Sequence, residues 1–246
     1  MRPISFVVLA AFTLLGSNRA TAQGSADDRA MNMAEHAMGG MMDSIMMKHM
    51  ILSPARVPTK ADSDKALAVV KELRVAIAKY QDTTAAVADG YTMFAPNVKN
   101  QRVYHFTKLG NALFEVLRFD PNQPTSLLYE RDGTGKLKLV GAMYTMPRRT
   151  PLVRLDERIP LGIARWHRHV NWCMPLGNEQ SRWNEMKDGM PVFGPESPIA
   201  TRAECDKVGG QFTPALFGWM VHAHVFKGDD LATIFSDDHG AGHDHH

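Results

Sequence analysis

Two short segments of the sequence carry pairs of histidines separated by one residue. The first pair is His167 and His169, in the run Arg-Trp-His-Arg-His-Val, and the second is His222 and His224, in Val-His-Ala-His-Val. In a β-strand, residues two apart lie on the same face, so both imidazoles of a pair can reach one ion. Two such strands side by side offer four nitrogen ligands, which zinc, copper and iron all accept. We therefore predict a metal site built from these four histidines.

The same alternation predicts which neighbours face the histidines and which face away. Asn171 and Cys173 are expected on the side of the first pair. The residues expected on the opposite side of the two strands are Trp166, Arg168, Val170, Trp172, Trp219, Val221, Ala223 and Val225. These are mostly apolar, so a polar residue between them needs a partner to offset its loss of water.

Two more side chains are candidates for the same site. His105 lies between aromatic residues in Tyr-His-Phe, where a ligand and a hydrogen-bonded core histidine are both compatible with the pattern. Glu130 ends the run Leu-Leu-Tyr-Glu. Such a carboxylate is a metal ligand, a partner that orients a histidine, or a solvated strand end.

Soft donors near the N-terminus favour copper among these metals. Eight methionines fall within 20 residues, together with two histidines: Met31, Met33, Met38, Met41, Met42, Met46, Met47, Met50, His36 and His49. Thioether sulfur favours Cu(I), and imidazole suits copper in either oxidation state. The alternative is an amphipathic helix that uses methionine as an adaptable apolar filler. The last ten residues, with four histidines and three acids, form a chelating tail that selects no particular metal.

The N-terminus has the three-part order of a secretory signal. Arg2 precedes an apolar run from Ile4 to Leu15, and small residues end at Ala22. A run of roughly 12 apolar residues is too short for a membrane span, which needs about 20, so we predict cleavage before Gln23 and a periplasmic or secreted protein without a span. Loss of residues 1–22 removes two arginines and no acid, which takes the net charge from +2 to zero and gives no electrostatic case for nucleic acid.

The two cysteines, Cys173 and Cys205, are predicted to form a disulfide. An even count is typical of exported proteins, and closing a loop of about 33 residues stabilises by about 3 kcal/mol. The competing interpretation is that Cys173 serves the metal, because it follows the first histidine pair closely.

The elements that must position these residues are a long helix and a set of short strands. Apolar residues at three- and four-residue spacing predict a helix over residues 62–89, begun by Ser63 and ended at Gly90. The β-branched and aromatic runs predict strands at 103–108, 112–119, 126–130, 137–146, 163–173 and 218–226. Residues 147–162 are expected to cross between strands, and residues 174–216 to form a long irregular loop.

The predicted fold class is α+β, with an N-terminal helix packed on an antiparallel β-sheet or partial barrel and with disordered Met-rich and His-rich ends. The expected organisation has four parts: a signal peptide at 1–22, a Met/His-rich flexible segment at 23–60, a single domain at 61–235 and a His-rich tail at 236–246.

Several short motifs resemble an uncharacterised family of secreted microbial proteins. They are Ala-Lys-Tyr-Gln-Asp at 78–82, Ala-Asp-Gly-Tyr at 88–91, Tyr-His-Phe at 104–106, Asp-Pro-Asn-Gln-Pro at 120–124, Leu-Leu-Tyr-Glu at 127–130, Leu-Val-Gly-Ala-Met-Tyr at 139–144 and His-Ala-His-Val-Phe at 222–226. The chain departs from the family in having Lys-Asn-Gln-Arg at 99–102 instead of Gly-Met-Gly, and in its Met-rich and His-rich ends. The resemblance, over roughly residues 75–235, implies secretion and a single domain, and it draws attention to His105 and Glu130 without supplying a reaction.

Three functions are compatible with these patterns. The first is an exported metal-binding protein, with copper favoured, zinc or iron as alternatives, and metal ions as its partners. The second is a metal-dependent enzyme in which the same histidines leave a ligand position open and Glu130 or Asp156 acts as the base. The third is a secreted scaffold whose histidines are ordinary core or surface residues. The sequence lacks the Gly-x-Ser-x-Gly, His-Glu-x-x-His and Cys-x-x-Cys-His motifs, and it does not identify a protein partner.

Overall fold

The main sheet is seven-stranded and antiparallel, as seen in a computed structural model that describes residues 44–45, 47–99 and 101–236. The strands of the chain are β1 Met50–Leu52, β2 Thr92–Met93, β3 Tyr104–Thr107, β4 Ser126–Arg131, β5 Leu137–Met146, β6 His167–Met174, β7 Met186–Lys187, β8 Met190–Pro191 and β9 Gln211–Ala223. Their order in the main sheet is β1-β6-β9-β5-β4-β3-β2, and β7 and β8 form a separate hairpin. The α+β prediction is confirmed.

Six α-helices accompany the sheet within the described residues. They are α1 Lys60–Ile77, α2 Thr83–Ala88, α3 Leu109–Leu117, α4 Leu152–Asp156, α5 Arg202–Lys207 and α6 Leu231–Ile234, with 3₁₀ turns at Ala78–Tyr80 and Gln180–Asn184. None of the helices in this part of the chain is long and apolar enough to cross a membrane. The predicted signal peptide, most of the Met-rich segment and the His-rich tail after Ser236 lie outside the described residues.

The predicted long helix is two helices joined by a tight turn. Thr59, rather than Ser63, begins α1, because its hydroxyl accepts a hydrogen bond from the Asp62 amide while the Asp62 carboxylate accepts one from the Thr59 amide. A 3₁₀ turn follows Ile77, and Asp82 caps α2 through the Thr84 amide. Both segments bury apolar residues against one face of the sheet.

The two faces of the sheet carry different cores. The larger core contains the inward residues of α1 and the strand residues that face it, including Tyr129, Tyr144, Trp166 and Val221. A second, smaller apolar cluster joins Leu128, Val140, Met143 and Met220, with the partly buried Val103. Because the histidine pairs alternate with residues of the larger core, they lie on the face of this smaller cluster.

The strand predicted at 112–119 is wrong, because α3 runs through residue 117. Leu109, Leu113 and Leu117 recur every four residues and lie exposed on one side, whereas Asn111 and Glu115 are buried on the other. The helix is therefore held by polar contacts: Asn111 donates to the Pro124 carbonyl, and Glu115 accepts from the Thr145 amide. In this helix the apolar side chains face outward and the polar ones inward, which is the reverse of the usual pattern.

The boundary predicted between the Met-rich segment and the domain at residue 60 is also wrong. Residues Met50–Leu52 form β1, which pairs with β6 at one edge of the main sheet. Met50 lies opposite His169 and Leu52 opposite His167. The end of the Met-rich segment is therefore part of the folded domain and covers the edge of the strand that carries the first histidine pair.

Irregular pairing bends the sheet near the histidines. Between Leu128 and Tyr129 the register against β5 shifts by one residue, so that Val140 is the extra residue. Opposite the two-residue step from His167 to His169 on β6, the pairing on β9 advances by four residues, so β9 has two extra residues there. In this stretch Phe217 adopts a left-handed φ of 60°. Bulges of this kind bend a strand and increase its twist.

Candidate metal centre

Five histidines lie together on the face of the smaller apolar cluster, with His222 in the middle. The centroid of the His222 ring lies 5.0 Å from that of His167, 5.4 Å from that of His105 and 5.7 Å from that of His224. The rings of His167 and His169 are 5.4 Å apart. The structure therefore brings both predicted pairs and His105 into one group, called here the histidine cluster.

Two nitrogens that lie close together in the cluster belong to residues on strands that are not neighbours in the sheet. The Nε2 atoms of His105 and His222 lie 3.5 Å apart. This is long for a hydrogen bond to a ring nitrogen. Two imidazole nitrogens bound to one ion at about 2.0 Å lie about 3.3 Å apart in a tetrahedral site and about 3.5 Å apart in a trigonal one. The pair therefore has the spacing of two ligands of one ion.

The curvature of the sheet makes this approach available. His105 is on β3 and His222 is on β9, with β4 and β5 between them. Three strand steps of a flat sheet span about 14 Å, too far for two imidazoles to meet. Because the two rings nevertheless meet, the sheet is not flat between these strands, and the pairing of β4 with β5 carries a bulge at Val140.

Burial distinguishes the members of the cluster. His167, His222 and His224 are buried, whereas His105 and His169 are half-buried and form the more open side. Among the described residues, no three His, Cys, Asp or Glu side chains converge as a complete ligand set.

The predicted face of Trp172 is wrong because the strand is irregular. Trp166 joins the larger core as expected, but the Trp172 ring lies 5.0 Å from the ring of His169. Between them Asn171 takes a left-handed backbone conformation with φ of 57°, and this interrupts the alternation. An indole therefore packs beside His169 at the end of the cluster.

The two acidic candidates make ion pairs. Glu130 Oε1 lies 2.6 Å from Nζ of Lys227. Asp156 lies 2.8 Å from the guanidinium of Arg56 and also accepts a hydrogen bond from the Leu161 amide. Asp156 therefore stabilises the loop after α4 through Leu161 and Arg56. Glu130 links the end of β4 to the segment after β9 through its ion pair with Lys227.

The disulfide between Cys173 and Cys205 is present, which confirms the pairing and leaves neither sulfur free for a metal. Both cysteines are buried in a small cluster with Val192 and Phe193. The bond ties α5 to β6 and so fixes the loop between β6 and β9, the two strands that carry the histidine pairs.

One more described histidine, His49, lies near the cluster through the pairing of β1 with β6 and has a different role. His49 is fully buried, and its Nε2 donates a 2.6 Å hydrogen bond to the Ser197 carbonyl, while its own carbonyl accepts from the Val170 amide. It links the start of β1 to β6 and to the loop before α5. A pocket of about 660 Å³ beside it is lined by residues such as Met47, Met50 and Glu204 and by no member of the histidine cluster.

Three methionines share this face, and only one of them, Met50, is predicted as a donor from the sequence. Met143 lies directly opposite His222, Met220 opposite His167, and Met50 opposite His169. One signal was available, because Met220, His222 and His224 recur every two residues on one strand. The position of Met143 could not be found in this way, since it depends on the pairing of β5 with β9.

Comparison of the chain with protein-family models, with curated proteins and with solved structures found no match. The resemblance to a secreted microbial family stays a prediction.

Proposed function

We propose that this chain is an exported metal-binding protein that holds one transition-metal ion, with copper favoured, in the histidine cluster. The observation that carries the proposal is the 3.5 Å separation of the His105 and His222 Nε2 atoms, which suits two ligands of one ion. His167 is the nearest further imidazole, with its ring centroid 5.0 Å from that of His222. His169 and His224 complete the surroundings of the ion.

Copper is favoured over zinc and iron because soft donors surround the imidazoles. The Met-rich segment ends in β1, which places Met50 opposite His169. The two acids considered for the site, Glu130 and Asp156, have basic partners. Neutral nitrogen and sulfur donors suit copper, whereas a hard oxygen environment would suit other ions.

Binding is a better account than catalysis for this site. Three of the five histidines are buried, and the pocket beside β1 lies away from them. The two carboxylates considered as a base are engaged in ion pairs. A catalytic metal needs an open ligand position and a group to move a proton, and these observations favour neither.

Export is supported by two independent features. The sequence begins with the pattern of a cleavable signal, and the disulfide between Cys173 and Cys205 suits an oxidising compartment. In the proposed mature protein, the Met-rich and His-rich ends would collect ions that the folded site then holds more tightly.

The test is an elemental analysis of the full chain after weakly held metal has been removed with a chelator. We expect the wild type to retain about one copper ion per chain and the His222→Ala variant to retain none. His105→Ala, at a half-buried position, is a second variant less prone to misfolding. The matched control is His49→Gln, which alters a buried histidine outside the cluster. Equal retention by the wild type and both cluster variants would contradict the proposal.

A further inference from the structure

A buried methionine lies beside His222 on the histidine face. Met143 is on β5, which lies between the strands of His105 and His222 in the sheet. It lies directly opposite His222 on β9 and opposite Ser126 on β4. Met143 is buried and packs in the smaller apolar cluster together with Leu128, the residue opposite His105. Its side chain is therefore next to His222 and shares an apolar cluster with the neighbour of His105.

Its distance from the His222 imidazole is within the reach of a ligand. Residues directly opposite each other on neighbouring antiparallel strands have Cβ atoms about 4.5–5.5 Å apart and project to the same face. The flexible methionine side chain can carry its sulfur across such a gap. Met220 stands in the same relation to His167, one step farther from the Nε2 pair.

We propose that the Met143 thioether is the third ligand of the ion and that the site is selective for Cu(I). This inference rests on the metal-binding function proposed above. Two imidazoles and one thioether form a neutral, soft donor set, which suits Cu(I). The 3.5 Å separation of the nitrogens is the one expected in a trigonal site.

The same donor set discriminates against Zn²⁺ and Cu²⁺. A divalent ion moved into a buried site without an anionic ligand keeps more uncompensated charge than a monovalent one, and burying charge is costly. Met220, beside His167, offers a second sulfur for exchange as the ion enters or leaves.

The experiment compares Met143→Leu with the wild type in the full chain. Leucine is close to methionine in volume, so the packing is kept and only the sulfur is removed. Cu(I) affinity is measured by competition with a colorimetric chelator in anaerobic ascorbate, and Zn²⁺ affinity by competition with a fluorescent chelator. The matched control is Met146→Leu, a buried methionine on the same strand whose side chain lies in the larger core on the opposite face.

We expect Met143→Leu to lower Cu(I) affinity at least tenfold, to leave Zn²⁺ affinity unchanged, and to remove sulfur scattering from the copper X-ray absorption spectrum. Met146→Leu should change none of these. Unchanged Cu(I) affinity and scattering in Met143→Leu, with binding still lost in His222→Ala, would overturn the thioether ligand and leave the proposed function intact. Absence of tight binding in the wild type would overturn both.

Discussion

The Nε2 atoms of His105 and His222 lie 3.5 Å apart although two strands separate the strands that carry them. Three strand steps of a flat sheet would keep them about 14 Å apart. Under the proposed function the two side chains bind the same ion, so a change to either is expected to alter the binding by the other.

The first prediction concerns the coupling of these two histidines. We expect His105→Ala and His222→Ala each to lower copper affinity by more than the roughly 10- to 100-fold that loss of an outer partner costs. Two ligands of one ion are not independent, so the double variant should bind little worse than either single variant. Chelator competition on all four proteins measures this coupling. Losses that simply multiply would indicate two separate weak sites.

The second prediction concerns Gly141 on β5, which packs closely against the end of β9. A Cβ at this position would overlap the Ala223 carbonyl oxygen and lie 2.8 Å from the Cα of His224. We expect Gly141→Ala to lower the unfolding free energy by about 1–3 kcal/mol, because backbone atoms must move, and to displace His224. Thermal unfolding measures the loss. Gly133→Ala is the control, since a Cβ there meets nothing within 4 Å; equal stabilities of the two variants would refute the prediction.

The third prediction concerns the disulfide. Cys173 and Cys205 are 32 residues apart, and a crosslink of that length restricts the unfolded chain by about 3–4 kcal/mol. The double variant with alanine at both positions should lose that much stability in urea unfolding relative to the oxidised wild type. Relative to the reduced wild type, the slope of its unfolding free energy against urea concentration should be unchanged. A loss well below 1 kcal/mol would mean that the cluster around Val192 and Phe193 holds the loop without the bond.

The fourth prediction concerns the buried carboxyl of Glu115. Burial raises the pKa of Glu115 from 4.5 to about 7, although hydrogen bonds from Thr125 and Thr145 oppose the shift. The folded state therefore binds the proton more tightly than the unfolded state. The stabilisation that this provides is fully present below pH 4.5 and is lost as the pH rises through 7, by about 3 kcal/mol in all.

Glu115→Gln should remove this dependence, because the amide does not titrate. Denaturant unfolding between pH 4.5 and pH 8 is then expected to show a smaller decline in the variant than in the wild type. Glu157→Gln, at an exposed position, serves as the control and should keep the decline of the wild type. Parallel curves for the wild type and Glu115→Gln would contradict the raised pKa.

Local patterns in the sequence predicted much of the fold. Strands at 126–130 and 137–146 were found almost to the residue, because β-branched and aromatic runs end at turn residues there. The disulfide followed from an even cysteine count. The helix α3 was missed because its leucines face outward, and burial of Asn111 and Glu115 depends on partners from other elements.

The candidate site was only partly accessible from the sequence. The histidine pairs could be recognised by spacing alone, and His105 by its aromatic neighbours. That His105 meets His222, and that Met143 lies opposite His222, depends on the order and register of the strands, which no local pattern encodes. Backbone irregularity at Asn171 likewise turned Trp172 to the unexpected face.

The most direct measurement of the central claim is the thermal unfolding of the full chain with and without one equivalent of Cu(I). The cluster exists only in the folded state, so an ion bound there stabilises the fold, by about 2.7 kcal/mol at a free concentration of 100 times Kd. Ions held equally by the folded and unfolded chain give no such effect. We predict a clear rise in Tm for the wild type and none for His105→Ala or His222→Ala. An unchanged Tm in the wild type, or an equal rise in His222→Ala, would contradict the account.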